Sequence, residues 1–181
     1  MADGTLKVGT ITTSSGSGTI TLGQSGETVT IPSGVTMTGM GKVLQVVQGS
    51  TSTQTSNNTT SYADTTLSAS ITPSSTSSKI LVMLTQKLFL ATGTSDRGSV
   101  KTKLVRGATD IWENATIYFQ TTGISGEIDR YICVNYLDTP STTSSTTYKT
   151  QFAIDSTATN KIAYAQYGST LAYITLMEIA G

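Results

Sequence analysis

The sequence predicts an all-β protein, an antiparallel jelly-roll sandwich preceded by an N-terminal arm of short strands. Three observations carry this. Ser and Thr together make up roughly a third of the 181 residues while charged residues are only 12%, so polarity comes from hydroxyls. Thr is β-branched and suits a pleated surface, and with 17 Gly and 3 Pro the mixture is one of strands joined by turns. No stretch of ten or more residues repeats apolar positions at helical spacing, so helix should be nearly absent.

The arm comes first. Residues 1–40 contain short alternating pieces, such as Thr19-Ile20-Thr21-Leu22 and Thr28-Val29-Thr30-Ile31, set between Gly and Ser. Each piece buries two or three apolar side chains, worth about 2 kcal/mol apiece, against an ordering cost of about 1 to 2 kcal/mol per residue. Such an arm is not expected to fold alone. It gains stability if identical chains wind together or if it lies on a larger surface. Residues 1–40 are therefore expected to serve assembly or anchoring, and 41–181 to form the head.

Within the head, strands are expected at 43–48, 69–72, 79–91, 99–106, 115–120, 128–138, 146–155, 162–167 and 169–179. The separators carry turn chemistry: Pro73-Ser74, Thr92-Gly93, Arg106-Gly107, Thr122-Gly123 and Thr139-Pro140-Ser141. With no helix between strands, parallel crossovers are not expected, which favours the antiparallel jelly roll. The low-complexity stretches 49–61 and 141–147 are expected as exposed loops, either plain spacers or contacts for a sugar or a partner.

The last strand poses a question. In an extended chain, Leu171, Tyr173, Thr175, Met177 and Ile179 share one face, and Ala172, Ile174, Leu176 and Glu178 the other. Neither face is polar, so both should be covered. A second copy of the chain is expected to supply the second cover, with Ala172, Ile174 and Leu176 at the subunit contact. Glu178 is placed at the edge of that contact, because a buried unpaired carboxylate costs several kcal/mol.

Composition excludes several classes. Net charge is zero and the basic residues are scattered, so the chain lacks the footprint of a nucleic-acid binder. The longest apolar run, residues 80–84, is too short to insert in a bilayer, and the first residues lack the apolar core of a signal peptide. Cys133 is the only cysteine and histidine is absent, which removes the intrachain disulfide, the commonest metal ligand and the usual general base. Cys133, in YICVNYL, is expected to be buried in a strand.

Catalysis would need paired carboxylates, and the candidates are Asp110 with Glu113, Glu127 with Asp129, and Asp138 with Asp155. All flank turns, where acids commonly cap or form the turn. No enzyme activity, cofactor or metal is expected. A sugar-binding surface would instead use aromatic rings near strand ends. Trp112, between Asp110 and Glu113, is the first candidate and Tyr62 the second, with core packing as the rival role for each.

The stretches GKVLQVVQGSTSTQTSNNTTSYADTTLSASITPSSTSSKILVML, KLVRGATDIW, LDTPSTTSSTTYKTQFAI and STLAYITLMEIAG resemble a module of tailed bacteriophages, especially marine ones, found in proteins described as tail-fibre-like or virion structural. LKVGTITTSSGSGTITLG and VTIPSGVTM resemble the short-stranded stem that precedes it. The resemblance implies a trimeric appendage with a jelly-roll head, similar in style to tumour-necrosis-factor-like knobs. It implies a virion protein made in the host bacterial cytoplasm, attached to other virion proteins through residues 1–40 and binding a host-surface glycan. The alternative is a capsid decoration or head fibre with a purely structural role.

Overall fold

The computed structural model describes residues 11, 20, 21, 24, 26–30, 43–92, 97–120, 128–155 and 161–181. The chain divides into two units, Met1–Met40 and Gly41–Gly181. Most of the first unit, with most of its expected short strands, lies outside the described residues. What is described there includes a turn in which the Glu27 N–H donates to the Gln24 carbonyl at 3.0 Å, with Gly26 at φ 92°. Ile11, Ile20 and Val29 are exposed.

The described residues of the second unit form ten strands: β1 (Val43–Thr51), β2 (Thr55–Asn57), β3 (Ala63–Ile71), β4 (Lys79–Ala91), β5 (Arg97–Arg106), β6 (Thr109–Gln120), β7 (Ile128–Asp138), β8 (Thr146–Ile154), β9 (Ile162–Ala165) and β10 (Ala172–Ile179). Among the described residues the only helical element is a single 3-10 turn, Tyr167–Ser169. All strand pairs are antiparallel. One sheet, here sheet A, runs β1-β10-β4-β7, and sheet B runs β3-β8-β5-β6. Each sheet thus interleaves strands from both halves of the unit, which is the wrapping of a jelly roll. β9 and β2 extend sheet A beside residues 88–91 of β4.

The core lies between the sheets. Leu67, Ile71, Leu104, Tyr148, Phe152 and Ile154 from sheet B meet Ile80, Leu88, Ile174 and Leu176 from sheet A, all 2% exposed or less. Several of these alternate with exposed or half-exposed residues, as one-sided strands must. Strands 79–91 and 128–138 have the bounds expected from sequence. β3 begins earlier than expected because, apart from Leu67, its inward positions before residue 69 are Ala63 and Thr65, which carry little apolar signal. The stretch 49–61 is not simply an exposed loop. It contains the end of β1 and all of β2, and Asn57 is buried, its amide donating to the carbonyls of Ser61 (2.8 Å) and Phe152 (2.9 Å).

Two buried carboxylates close one end of the sandwich. Gln45, Glu178, Ile80 and Asp138 share one inward row across β1, β10, β4 and β7. Glu178 is fully buried and accepts from the Ser74 N–H (2.7 Å), the Ser74 hydroxyl (2.6 Å) and the Gln45 amide (2.6 Å). This corrects its expected place at the edge of a subunit contact. A carboxylate with that many donors can lie inside the protomer. Burial alone would raise its pKa, but the hydrogen bonds from Ser74 and Gln45 outweigh burial and bring it down to about 2. Because the folded value is below that of the unfolded chain, Glu178 stabilises the fold above about pH 4.3, and this contribution is lost as pH falls towards 2. Thermal unfolding is therefore expected to shift to lower temperature across that window. Glu178→Gln should lower the melting temperature at neutral pH and flatten the acid limb, and an unchanged acid limb in that variant would contradict the assignment.

Candidate assembly surface

The outer faces of the two sheets differ in kind. On sheet B, Lys101 and Lys103 of β5, Asp110 and Glu113 of β6, and Lys149 and Gln151 of β8 lie outward and are tied to one another or to neighbouring loops. Lys103 holds Asp110 at 2.8 Å, Lys149 holds Asp64 at 2.9 Å, and Gln151 donates to the same Asp64 at 2.6 Å. Burial works to raise the Asp64 pKa, but its bonds to Gln151 and Lys149 prevail and lower it.

Tyr62 belongs to this charged face. Its hydroxyl donates to Glu113 at 2.5 Å, and the ammonium groups of Lys103 and Lys101 lie 4.4 and 5.3 Å from its ring centre. Burial, followed by the Glu113 contact, pushes its hydroxyl pKa up. The ring is half-buried and its face is already taken by cations, an arrangement worth about 0.5 to 1 kcal/mol at such sites.

Trp112 points the other way. It lies opposite Leu104 in the β5–β6 register, whereas Glu113 lies opposite Lys103, so Trp112 turns inward. It is half-buried and packs against the core. The expectation of an exposed ring is corrected: the polar text around Trp112 is strand rather than turn, and Asp110 and Glu113 serve the outer face. Sheet B separates Trp112 from Tyr62, so the two do not form one stacking surface.

Of the carboxylates offered as catalytic pairs, Asp110, Glu113, Asp129 and Asp138 are each engaged by another side chain. Asp110 is held by Lys103, Glu113 by Tyr62, and Asp129 by Lys87 at 2.8 Å. Glu127 lies outside the described residues. Asp138, buried on β7, accepts from Arg106 Nη1 of β5 at 2.8 Å on both oxygens and from the Tyr148 hydroxyl of β8 at 2.7 Å. It thereby ties sheet A to sheet B, and burial together with Asp138 raises the Tyr148 hydroxyl pKa. Beside Arg106 a hollow of about 350 Å³ is lined by Thr142, Ser145, Thr146 and Thr147.

Sheet A presents a different outer face. Ala172, Ile174 and Leu176 are fully buried in the protomer's own core, which corrects their placement at a subunit contact. The residues of β10 that turn outward are Tyr173, Thr175, Met177 and Ile179. The face of β10 expected at a contact is thus the one that faces the protomer's core, and the other face turns outward. Cys133, expected to be buried, is also outward and exposed, because Ile132 and Val134 take the inward positions of β7. Sequence reasoning missed Val46 and Leu137, which register brings into line with Met177 and Leu81 across four strands.

No protein-family model and no curated protein matches the chain. Among solved structures it is similar to the infectious bursal disease virus Gt strain structure, at 13% identity and a TM-score of 0.38, over 75% of this chain and 38% of that one. The VP2 subviral particle of infectious bursal disease virus gives 13% identity, a TM-score of 0.38, and the same 75% and 38% coverage. The chain spans 38% of the length of those chains, and at this identity and overlap the likeness identifies no family.

Proposed function

We propose that the chain is a virion structural protein of a tailed bacteriophage, the subunit of a trimeric tail fibre or spike that presents a jelly-roll head and attaches to other virion proteins through residues 1–40. Two things support the reading. One is the resemblance of the quoted segments to phage appendage modules. The observation that carries it is the asymmetry of the sandwich, with lysines and carboxylates tied together on the outer face of sheet B and the large hydrophobic side chains Val46, Leu137, Tyr131 and Tyr173 exposed on that of sheet A. A wall with one wet and one dry outer face suits a subunit that works inside an assembly.

Binding of a host-surface glycan belongs to the same reading. Because the fold engages Trp112 and Tyr62, such contact falls to the hydroxyl-lined hollow beside Arg106 and the loop 141–147. Repetition over three heads multiplies a weak contact by avidity.

Virions of the encoding phage, imaged with an antibody against the head, test the proposal. Density along the tail with three copies per appendage is the expected result. Density on the capsid shell would move the protein to the decoration class, and its absence from purified virions would overturn the proposal.

A further inference from the structure

We infer that the outer face of sheet A is the surface through which copies of this chain join, each turning it towards a common axis where its two neighbours cover it. The inference rests on the trimer proposed above and names the surface and residues that build it. Register defines three outward rows across β1, β10, β4 and β7: Val46–Met177–Leu81–Leu137, Gln48–Thr175–Met83–Asn135 and Ser50–Tyr173–Thr85–Cys133. None contains a charge. The charged side chains of this face stand at its two ends, Lys79 at one and the Lys87–Asp129 pair at the other.

Area argues for a protein occupant. Val46, Leu137, Tyr131 and Tyr173, with Val43 and Leu44 at the β1 bulge, are each between 41% and 59% exposed. Six large side chains open to that degree leave roughly 600 Å² of apolar surface, at the upper end of what monomers leave in water. The neutral residues between them bring the face to about the 800 Å² that a standard interface takes from each partner. A hollow of about 280 Å³, lined by Met83, Thr85, Cys133, Asn135, Tyr173 and Thr175, gives a neighbour's side chain a seat.

Chemistry argues that the occupant is a second copy. A face repeated around an axis meets its own charges, and like charges there would repel. The three rows have none to repel. Some of their polar groups are paired within the face: the Gln48 amide donates to the Thr175 hydroxyl at 3.0 Å, and the Thr85 hydroxyl lies 3.8 Å from Cys133 Sγ. A sugar would cover only a small part of this area, whereas a copy of the same surface matches both its extent and its lack of charge.

Cys133 serves as the reporter, since it is exposed in the protomer and lies in the third row. The experiment uses the full chain, with sedimentation equilibrium at micromolar concentration and the rate of maleimide labelling. A trimer whose thiol reacts at least on the order of tenfold more slowly than in Val46→Glu or Leu137→Glu is the expected result, with both variants monomeric and retaining wild-type circular dichroism. Ser70→Glu, on the outer face of sheet B, should leave the trimer and the labelling rate unchanged. If the wild type is trimeric but Cys133 labels at the rate of the unfolded chain, or both glutamate variants stay trimeric, the surface is wrong and the trimer stands. If the wild type is a folded monomer, the trimer falls and this surface with it.

Discussion

Replacing Asp138 by Ala is expected to cost the head about 3 to 5 kcal/mol, towards the lower figure because Arg106 keeps a quarter of its side chain in water. The loss comes from what stays behind. Arg106 Nη1 and the Tyr148 hydroxyl both donate to this buried carboxylate, and removing it leaves a buried hydroxyl without its acceptor and a largely enclosed cation that keeps the Thr139 carbonyl at 3.2 Å but loses its carboxylate. Because Asp138 belongs to sheet A and the other two to sheet B, the change also releases a tie between the layers. Asp138→Asn keeps an acceptor and the shape but loses the charge, so it should fall between wild type and Ala. Tyr148→Phe removes one donor and leaves the Arg106 pair intact, so its cost should be about 1.5 to 3 kcal/mol, as for a hydrogen bond to a charged group. Urea unfolding measures all three, and a midpoint change without a change in slope identifies a stability effect. A loss below about 1 kcal/mol for Asp138→Ala would mean that the charged tie contributes no more than an exposed pair.

Strand positions are legible in the sequence where both the alternation and its ends are marked. β4 and β7 are rich in Val, Ile, Leu and Tyr, and turn residues bound them at Pro73-Ser74, Thr92-Gly93 and Thr139-Pro140. The jelly-roll form follows from the strand count and the missing helices. The first half of β3 and all of β2 are hidden, because apart from Leu67 their inward residues are Thr, Ala and Asn, whose burial depends on partners far along the chain, such as the Phe152 carbonyl that accepts from Asn57.

The face that a strand shows outward is a harder matter. In β10 both faces are apolar, and the single charge, Glu178, points away from the true answer. A lone carboxylate marks the wet side only when nothing inside can hold it, and here Ser74 and Gln45 can. The same ambiguity misplaces Cys133, whose neighbours Ile132 and Val134 are as apolar as Tyr131 and Leu137. Trp112 fails for another reason: acids on either side suggest a turn, yet they belong to the wet face of a strand whose other side is core. The row of Val46, Met177, Leu81 and Leu137 is invisible in sequence, since its four members come from four strands and only pairing register aligns them.

Gly49→Ala is expected to destabilise the head by about 3 kcal/mol, at the top of the range for inserting one methyl group into a packed site. A Cβ at Gly49 would run into the backbone carbonyl oxygen of Ser68, with the Ala69 side chain 3.1 Å away. Backbone cannot swing aside as a flexible side chain does, so β1 of sheet A must lift from β3 of sheet B. Lifting β1 strains its pairing with β10, in which Gly49 lies opposite Ile174, a residue of the core. Gly107 makes the control: it has φ 58° and nothing within 4 Å of an added Cβ, so Gly107→Ala should cost about 1 kcal/mol from conformation alone. The two glycines thus separate steric exclusion from backbone preference. β1 also carries Val46, so displacing it disturbs the outward row. In Gly49→Ala the proposed trimer should weaken along with the fold, whereas Gly107→Ala should leave the sedimentation profile unchanged. Equal losses of stability in the two variants would show that β1 can leave β3 freely, and that the close approach at Ser68 does not hold this strand in place.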